Sequence, residues 1–327
     1  MVIAVDAAGG DHYPENPVKG GLEALNANES LHILFTGPSD IIEKELSELS
    51  YDSGRVDILH APEIVTMDDS ASAALKNKPN SSISTGIKAH KEGRCDAFVS
   101  AGNTGALLAA STIILGKLEG VHRPTIAATF PTVKGLSLLI DAGANLELKP
   151  EYYVQFAKMG TIFSREIMGV KNPSIGLVNV GEEAEKGTEA HKSAYNLLSE
   201  LDNFYGNIEG KDILAGKTDI FLTDGFNGNV ILKFGESIPS MLKQVFGKAI
   251  KELGLSESEQ ELVHKLLSVS MKSFDYQAVG GVPFLGINGV SLVGHGGSSP
   301  EAIKNMILNA SVCIEQRINE KIVSSLN

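Results

Sequence analysis

Cysteine is nearly missing. Among 327 residues only Cys95 and Cys313 occur, far apart and outside any CxxC pair. That excludes a disulfide framework and fits a reducing, cytoplasmic setting. Cys95, in the run RCDAFVS, reads as a small core residue. Long apolar runs are also missing, and none approaches the roughly 20 residues of a spanning helix. The N-terminal MVIAVDAAGGDH lacks the basic and apolar regions of a secretory signal. Positive charge is scarce: 28 Lys and Arg stand against 40 Asp and Glu, a formal net charge of −12. That balance disfavours bulk attraction to anionic lipid or nucleic acid, and no nucleic-acid partner is expected.

Several chemical signatures are absent as well. No GxxxxGK[ST] loop marks a nucleotide phosphate, and no HExxH, Cys/His quartet or EF-hand loop marks a metal. No GxSxG elbow presents a hydrolase serine. GHGGSS comes nearest to a dinucleotide fingerprint, but it ends in serine and lies close to the C-terminus without a ribose-binding acid after it. Neither a metal nor another cofactor is expected.

What is present is glycine, 34 residues of it, in short loops, with 43% hydrophobic residues to build a core. Short β-branched runs alternate with helical patterns. The spacing predicts strands at Val2–Asp6, His32–Thr36, Val56–His60, Ala97–Ser100, Ile126–Phe130, Leu136–Asp141, Ile175–Val180, Ile220–Thr223 and Val290–Gly294. It predicts helices at Pro17–Ala27, Ser39–Leu49, Thr104–Leu115, Pro150–Met168, Thr188–Leu201, Asn229–Leu253, Ser256–Phe274 and Pro300–Ser325. Strands that read as continuous apolar runs are buried on both faces, so the expected fold is α/β with a mainly parallel sheet between helical layers. There is no repeat and no linker. The expectation is one unit over residues 1–327, with room for two subdomains sharing a sheet.

Ligands of such sheets sit beyond the carboxyl ends of strands. Six loops of small and polar residues fall at those ends: DAAGGD, SAGNTG, DAGAN, NVGEEAEKG, TDGFNGN and GHGGSS. Together they suggest one shared cleft. SAGNTG, with Gly102, Asn103, Thr104 and Gly105, reads either as a capped helix entry or as an anion seat, because the first N–H groups of a helix lack internal partners. GHGGSS repeats the choice with Gly296, Gly297, Ser298 and Ser299, and adds His295 as a donor or acid–base group. TDGFNGN offers Asp224 at a strand end and Asn229 as a cap, with Lys233 one turn further on. NVGEEAEKG contributes Asn179, Glu182, Glu183 and Lys186; DAGAN contributes Asp141 and Asn145; DAAGGD contributes Asp6 and Asp11 around Gly9 and Gly10. Helix N-termini, amides and a few lysines without an evident protein nucleophile suit a small anionic reactant such as phosphate, itself a nucleophile.

In order and spacing, IAVDAAGGD, SAGNTGALLA, DAGAN, NVGEEAEKG, DIFLTDGFNGNVILK, GGVPFLGINGV and HGGSS resemble the PlsX-type phosphate acyltransferases of bacterial phospholipid synthesis, from residue 1 to about residue 310. Ala8 stands where methionine is common in that family. The stretch Met67 to Ile83 lacks a proline often found after its acids, while Lys76, Lys78, Ser81 and Ser82 match. The resemblance implies transfer of a fatty acyl group from acyl carrier protein to inorganic phosphate, giving acyl phosphate. It implies a three-layer α/β/α fold like that of isocitrate and isopropylmalate dehydrogenases. It also implies a homodimer in the cytoplasm, peripherally associated with the membrane beside the glycerol-phosphate acyltransferase that uses the product. On this reading Asn103, Thr104 and Gly105 join Asp141, Asn145, Asn179, Glu183, Lys186, Asp224, Asn229, Lys233 and His295 in a reactive cleft. The GNTG and HGGSS amides would hold phosphate, and His295 or Lys186 would polarise the thioester carbonyl.

Residues 241–275 read as a helical hairpin for dimer, carrier-protein or membrane contact. Leu242, Val245, Phe246, Ala249 and Ile250 recur at helical spacing, as do Leu262, Val263, Leu266, Leu267 and Val269. Lys243, Lys248, Lys251, Lys265 and Lys272 provide local positive charge for an acidic carrier. The competing activities are a coenzyme A-dependent phosphotransacylase and a dehydrogenase; the competing non-enzymatic role is a scaffold for lipid enzymes.

Overall fold

Successive residues along the strands point to opposite sides of the sheet, and here both sides are covered. The computed structural model describes residues 1–271, 277 and 280–326. In β1 (Val2–Asp6), Ile3 and Val5 enter one core cluster while Ala4 enters another. In β4 (Ala97–Ser100), Ala97 and Val99 face Phe98 across the sheet in the same way. β6 (Gly135–Ile140) and β9 (Ile220–Leu222) repeat the pattern, with Leu139 and Phe221 on one side and Leu138, Ile140, Ile220 and Leu222 on the other.

The remaining strands are β2 (His32–Gly37), β3 (Val56–His60), β5 (Thr125–Thr132), β7 (Ile175–Val178), β8 (Phe204–Ile208), β10 (Val282–Leu285) and β11 (Ser291–Val293). Among the described residues they form one sheet of eleven strands in the order β3-β2-β1-β4-β11-β10-β5-β6-β9-β7-β8. Pairing is parallel in both flanks and antiparallel only at β11–β10, β10–β5 and β5–β6. The predicted mainly parallel sheet is therefore present, with an antiparallel seam at its centre.

One face carries α1 (Glu15–Ala27), α2 (Ser39–Ser47) and α11 (Pro300–Glu315) over the first flank, and α6 (Pro150–Glu166), α7 (Glu189–Leu198) and α12 (Ile318–Leu326) over the second. The other carries α3 (Ala71–Asn77), α4 (Ser82–Lys91), α5 (Thr104–Ala110), α8 (Gly210–Ala215) and α9 (Gly225–Leu253) above a single apolar cluster that crosses the seam. α10 (Glu257–Ser270) follows α9 and contributes no buried residue.

Nine predicted strands and eight predicted helices correspond to observed elements, with two classes of difference. β8 and β10 were not expected. β8 reads FYGNI, broken by Gly206, and β10 reads VPFL, whose Pro283 lies beside Leu292 at the seam. α3, α4 and α8 were also not expected, being short or rich in serine and glycine. The helix predicted over Pro300–Ser325 is two helices, because Arg317 takes a positive φ of 51° and turns the chain from α1 toward α6. Gln316 and Arg317 carry no glycine or proline signal for such a turn. The helix predicted at Thr104–Leu115 passes from α-helix into a π turn at Ser111–Leu115.

Candidate active site

Two buried carboxylates organise the strand ends. Asp6 closes β1, where its Oδ2 accepts from Ser100 Oγ at 2.6 Å and its Oδ1 from the Ala8 N–H at 3.1 Å. Ser100 Oγ accepts in turn from the Gly102 N–H at 2.9 Å, so the end of β1 fixes the turn after β4. Burial pushes the Asp6 carboxyl above its ordinary range, against hydrogen bonds from Ser100, Ser82 and Ala8. Asp141 follows β6 and accepts from the N–H groups of Ile126, Gly143, Ala144 and Asn145 and from the Asn145 amide. Burial pushes its carboxyl up as well. With five donors, both of its oxygens are committed to shaping the DAGAN loop.

The helix entries are capped. Asn103 accepts from the Ala106 N–H at 2.9 Å, and its amide donates to the carbonyls of Thr66, Met67 and Asp69, clamping that loop over α5. Asp224 accepts from the Asn227 N–H and side-chain amide, both at 2.8 Å, and so caps α9. Ser299 accepts from the Ala302 N–H and caps α11. The capped-entry reading of these loops holds, and three of the loops also face a cavity.

That cavity, of about 400 Å³, lies on the sheet face between α5 and α9. Ile126, Ala128 and Phe130 of β5, Val282 of β10 and Val293 of β11 form its floor. Thr104, Gly105 and Leu108 wall it from α5; Asn229, Leu232, Lys233, Gly235 and Glu236 wall it from α9. Ala142 and Gly143 of DAGAN and the turn Gly294–His295–Gly296 complete it. Glu236 joins two nitrogen-bearing side chains: His295 Nε2 is 3.2 Å from its Oε1 and Lys233 Nζ is 2.8 Å from its Oε2. Burial raises the Glu236 carboxyl, but the neighbouring His295 and Lys233 outweigh it and hold the group below its ordinary range.

Four of the six loops thus reach one cavity. DAAGGD adjoins it: the Asp11 N–H donates to the Gly296 carbonyl at 2.8 Å, and Gly9 and Gly10 pack against Gly102, Ala101 and Gly296. Asn145 stands one layer behind, its amide on Asp141 and the Pro124 carbonyl. Ser298 is buried beside Gly294, and Gly297 is exposed next to it. Ser81 caps α4 through the Ser84 N–H, Ser82 reaches Asp6, and Lys76 is exposed on α3. The NVGEEAEKG loop stands apart: Glu183 and Lys186 are exposed after β7, and the Asn179 amide donates to the Lys186 carbonyl. None of the three lines the cavity.

Sequence reasoning missed Glu236 and the β5 floor. The signals were a helical face, with Asn229, Lys233 and Glu236 at i, i+4 and i+7, and a two-residue period in Ile126, Ala128 and Phe130. Both thiols are buried and pushed up to about 12, so neither is poised as a nucleophile.

A model of the family described as fatty acid synthesis protein matches residues 1–321. A phosphate acyltransferase of Chlorobaculum parvum is 46% identical over 338 residues, covering 100% of this chain and 99% of that one. Among solved structures, the EutD phosphotransacetylase from Staphylococcus aureus superposes with a TM-score of 0.58 at 13% identity, over 95% of this chain and 94% of that one. A chain described as a 4-hydroxythreonine-4-phosphate dehydrogenase from Salmonella typhimurium gives 0.54 at 11% identity, over 95% and 99%. At such identities the likeness is one of fold alone, and it agrees with the dehydrogenase-like fold that the family resemblance implied.

Proposed function

Because the chain belongs to the fatty acid synthesis protein family, we propose that it transfers a fatty acyl group from acyl-[acyl carrier protein] to inorganic phosphate, giving acyl phosphate and free carrier thiol. The observation that carries this reading is the composition of the cavity. Donors at His295, Thr104, Asn229 and the Gly294–Gly296 turn and the Lys233 cation border an apolar floor, so an anion and a hydrocarbon fit side by side. A phosphate oxygen attacks the thioester carbonyl carbon, forming a C–O bond while the C–S bond breaks and the thiolate leaves to take a proton. His295 stabilises the developing oxyanion, Lys233 and the glycine turn hold phosphate, and Glu236 orients both side chains. Asp6 and Asp141 act through the loops they shape.

The partners follow from the same reading: acyl carrier protein, inorganic phosphate and a second copy of the chain, with peripheral attachment to the membrane beside the enzyme that consumes acyl phosphate. No described helix is long and apolar enough to cross a membrane. The exposed lysines Lys243, Lys248, Lys251 and Lys265 on α9 and α10 offer the acidic carrier a local basic face on a chain of net charge −12. Lys272, expected to share it, lies outside the described residues, as does the end of the predicted helix Ser256–Phe274.

The test is thiol release from palmitoyl-[acyl carrier protein] with and without inorganic phosphate, with hydroxylamine to trap acyl phosphate. Phosphate-dependent release with hydroxamate formation is expected. Phosphate-independent release would mean hydrolysis, and release only from acyl-coenzyme A would mean a different thiol carrier.

A further inference from the structure

An apolar cavity holds no favourable contacts until something fills it, and about 400 Å³ is within the range of small-molecule sites. Its floor includes a row of alternate β5 residues, Ile126, Ala128 and Phe130, with the small Ala128 leaving depth between two bulky neighbours. Leu108 and Leu232 close in from the two flanking helices. Phe130 is 2% exposed and cannot retreat. Its ring meets Phe221 edge-on, with centroids 6.4 Å apart, and packs against α9 at Gly235. That helix comes so near only because residue 235 is glycine: a Cβ there would lie 2.6 Å from the Phe130 ring.

We propose that this row binds the acyl chain and that the Phe130–Gly235 contact sets the chain length the cavity accepts. The proposal rests on the acyl-transfer reading. Gly235→Ala drives the ring into the cavity and removes room for terminal methylenes. Phe130→Leu replaces a fixed ring with a smaller, flexible side chain and adds room. A methylene that no longer fits changes transition-state binding by about tenfold or more.

The experiment measures phosphate-dependent thiol release by the full-length chain from octanoyl-, palmitoyl- and stearoyl-[acyl carrier protein]. The readout is the ratio of long- to short-chain turnover within each variant, so partial loss of folded protein cancels. Gly235→Ala is expected to lower the palmitoyl-to-octanoyl ratio by about tenfold. Phe130→Leu is expected to raise the stearoyl-to-palmitoyl ratio. Either variant turning over substrate with wild-type ratios overturns the proposal while leaving the activity intact. Wild type inactive on every chain length overturns the activity, and the proposal with it.

Discussion

His295 and Lys186 were equal candidates for polarising the thioester, and the structure separates them. His295 lines the cavity and pairs with Glu236; Lys186 is exposed on a loop outside it. Removing a donor aimed at developing negative charge costs about 100-fold or more in turnover. His295→Ala is therefore expected to lower kcat at saturating substrate by about that factor, with Lys186→Ala near wild type. Steady-state kinetics on both variants check this, and equal losses would return Lys186 to the site. The difference was not legible in the sequence because both residues follow strands in glycine-containing loops. What distinguishes them is which strand each loop follows. β11 adjoins the seam under the cavity, whereas β7 lies toward the far edge of the sheet. Glu236 escaped for a related reason: it lies within a helix, well past the glycine loop that drew attention.

At the scale of elements, the entry to α9 is tied to the end of β6 by close approach. A Cβ on Gly228 would lie 1.8 Å from the Asp141 carbonyl oxygen, and one on Gly225 would lie 2.7 Å from that of Asn145. A backbone oxygen cannot swing aside as a side chain does, so Gly228→Ala must displace either α9 or the DAGAN loop. We expect it to destabilise the protein by about 3 kcal/mol, an overpacking cost read as a fall in thermal or urea midpoint. An unchanged midpoint would mean that the two loops are not rigidly joined. The glycines of TDGFNGN were legible as turn residues; that they serve as contact points was not, because the partner surface lies 80 or more residues away in sequence. Elements with strong periodicity were legible to within a few residues. Those that the sequence hid, β8, β10, α3, α4 and α8, are held by neighbours more than by their own pattern.

The whole molecule leaves one arm uncovered. Ile250 of the α9 stripe is buried in the chain's own core, but Val245 and Phe246 on α9 and Leu262, Leu266 and Val269 on α10 are exposed, so most of the apolar stripes predicted for this hairpin are left uncovered by the chain itself. With a second copy as the proposed cover, the protein is expected to sediment at twice its 34.7 kDa chain mass. Leu266→Glu with Leu267→Glu should shift it to the single-chain mass. A wild-type monomer that floats with anionic vesicles would instead assign the stripe to lipid. The sheet carries a different consequence, one of timing. Its first flank is complete by residue 100, and its second uses strands from residues 125 to 222. Within the sheet, among the described residues, the two are joined through β10 and β11, which follow the other nine strands in sequence. The cavity has its floor and its His295 turn only once those strands dock. A chain that lacks these two strands can therefore assemble most of its hydrophobic layers while its cavity stays without the His295 turn.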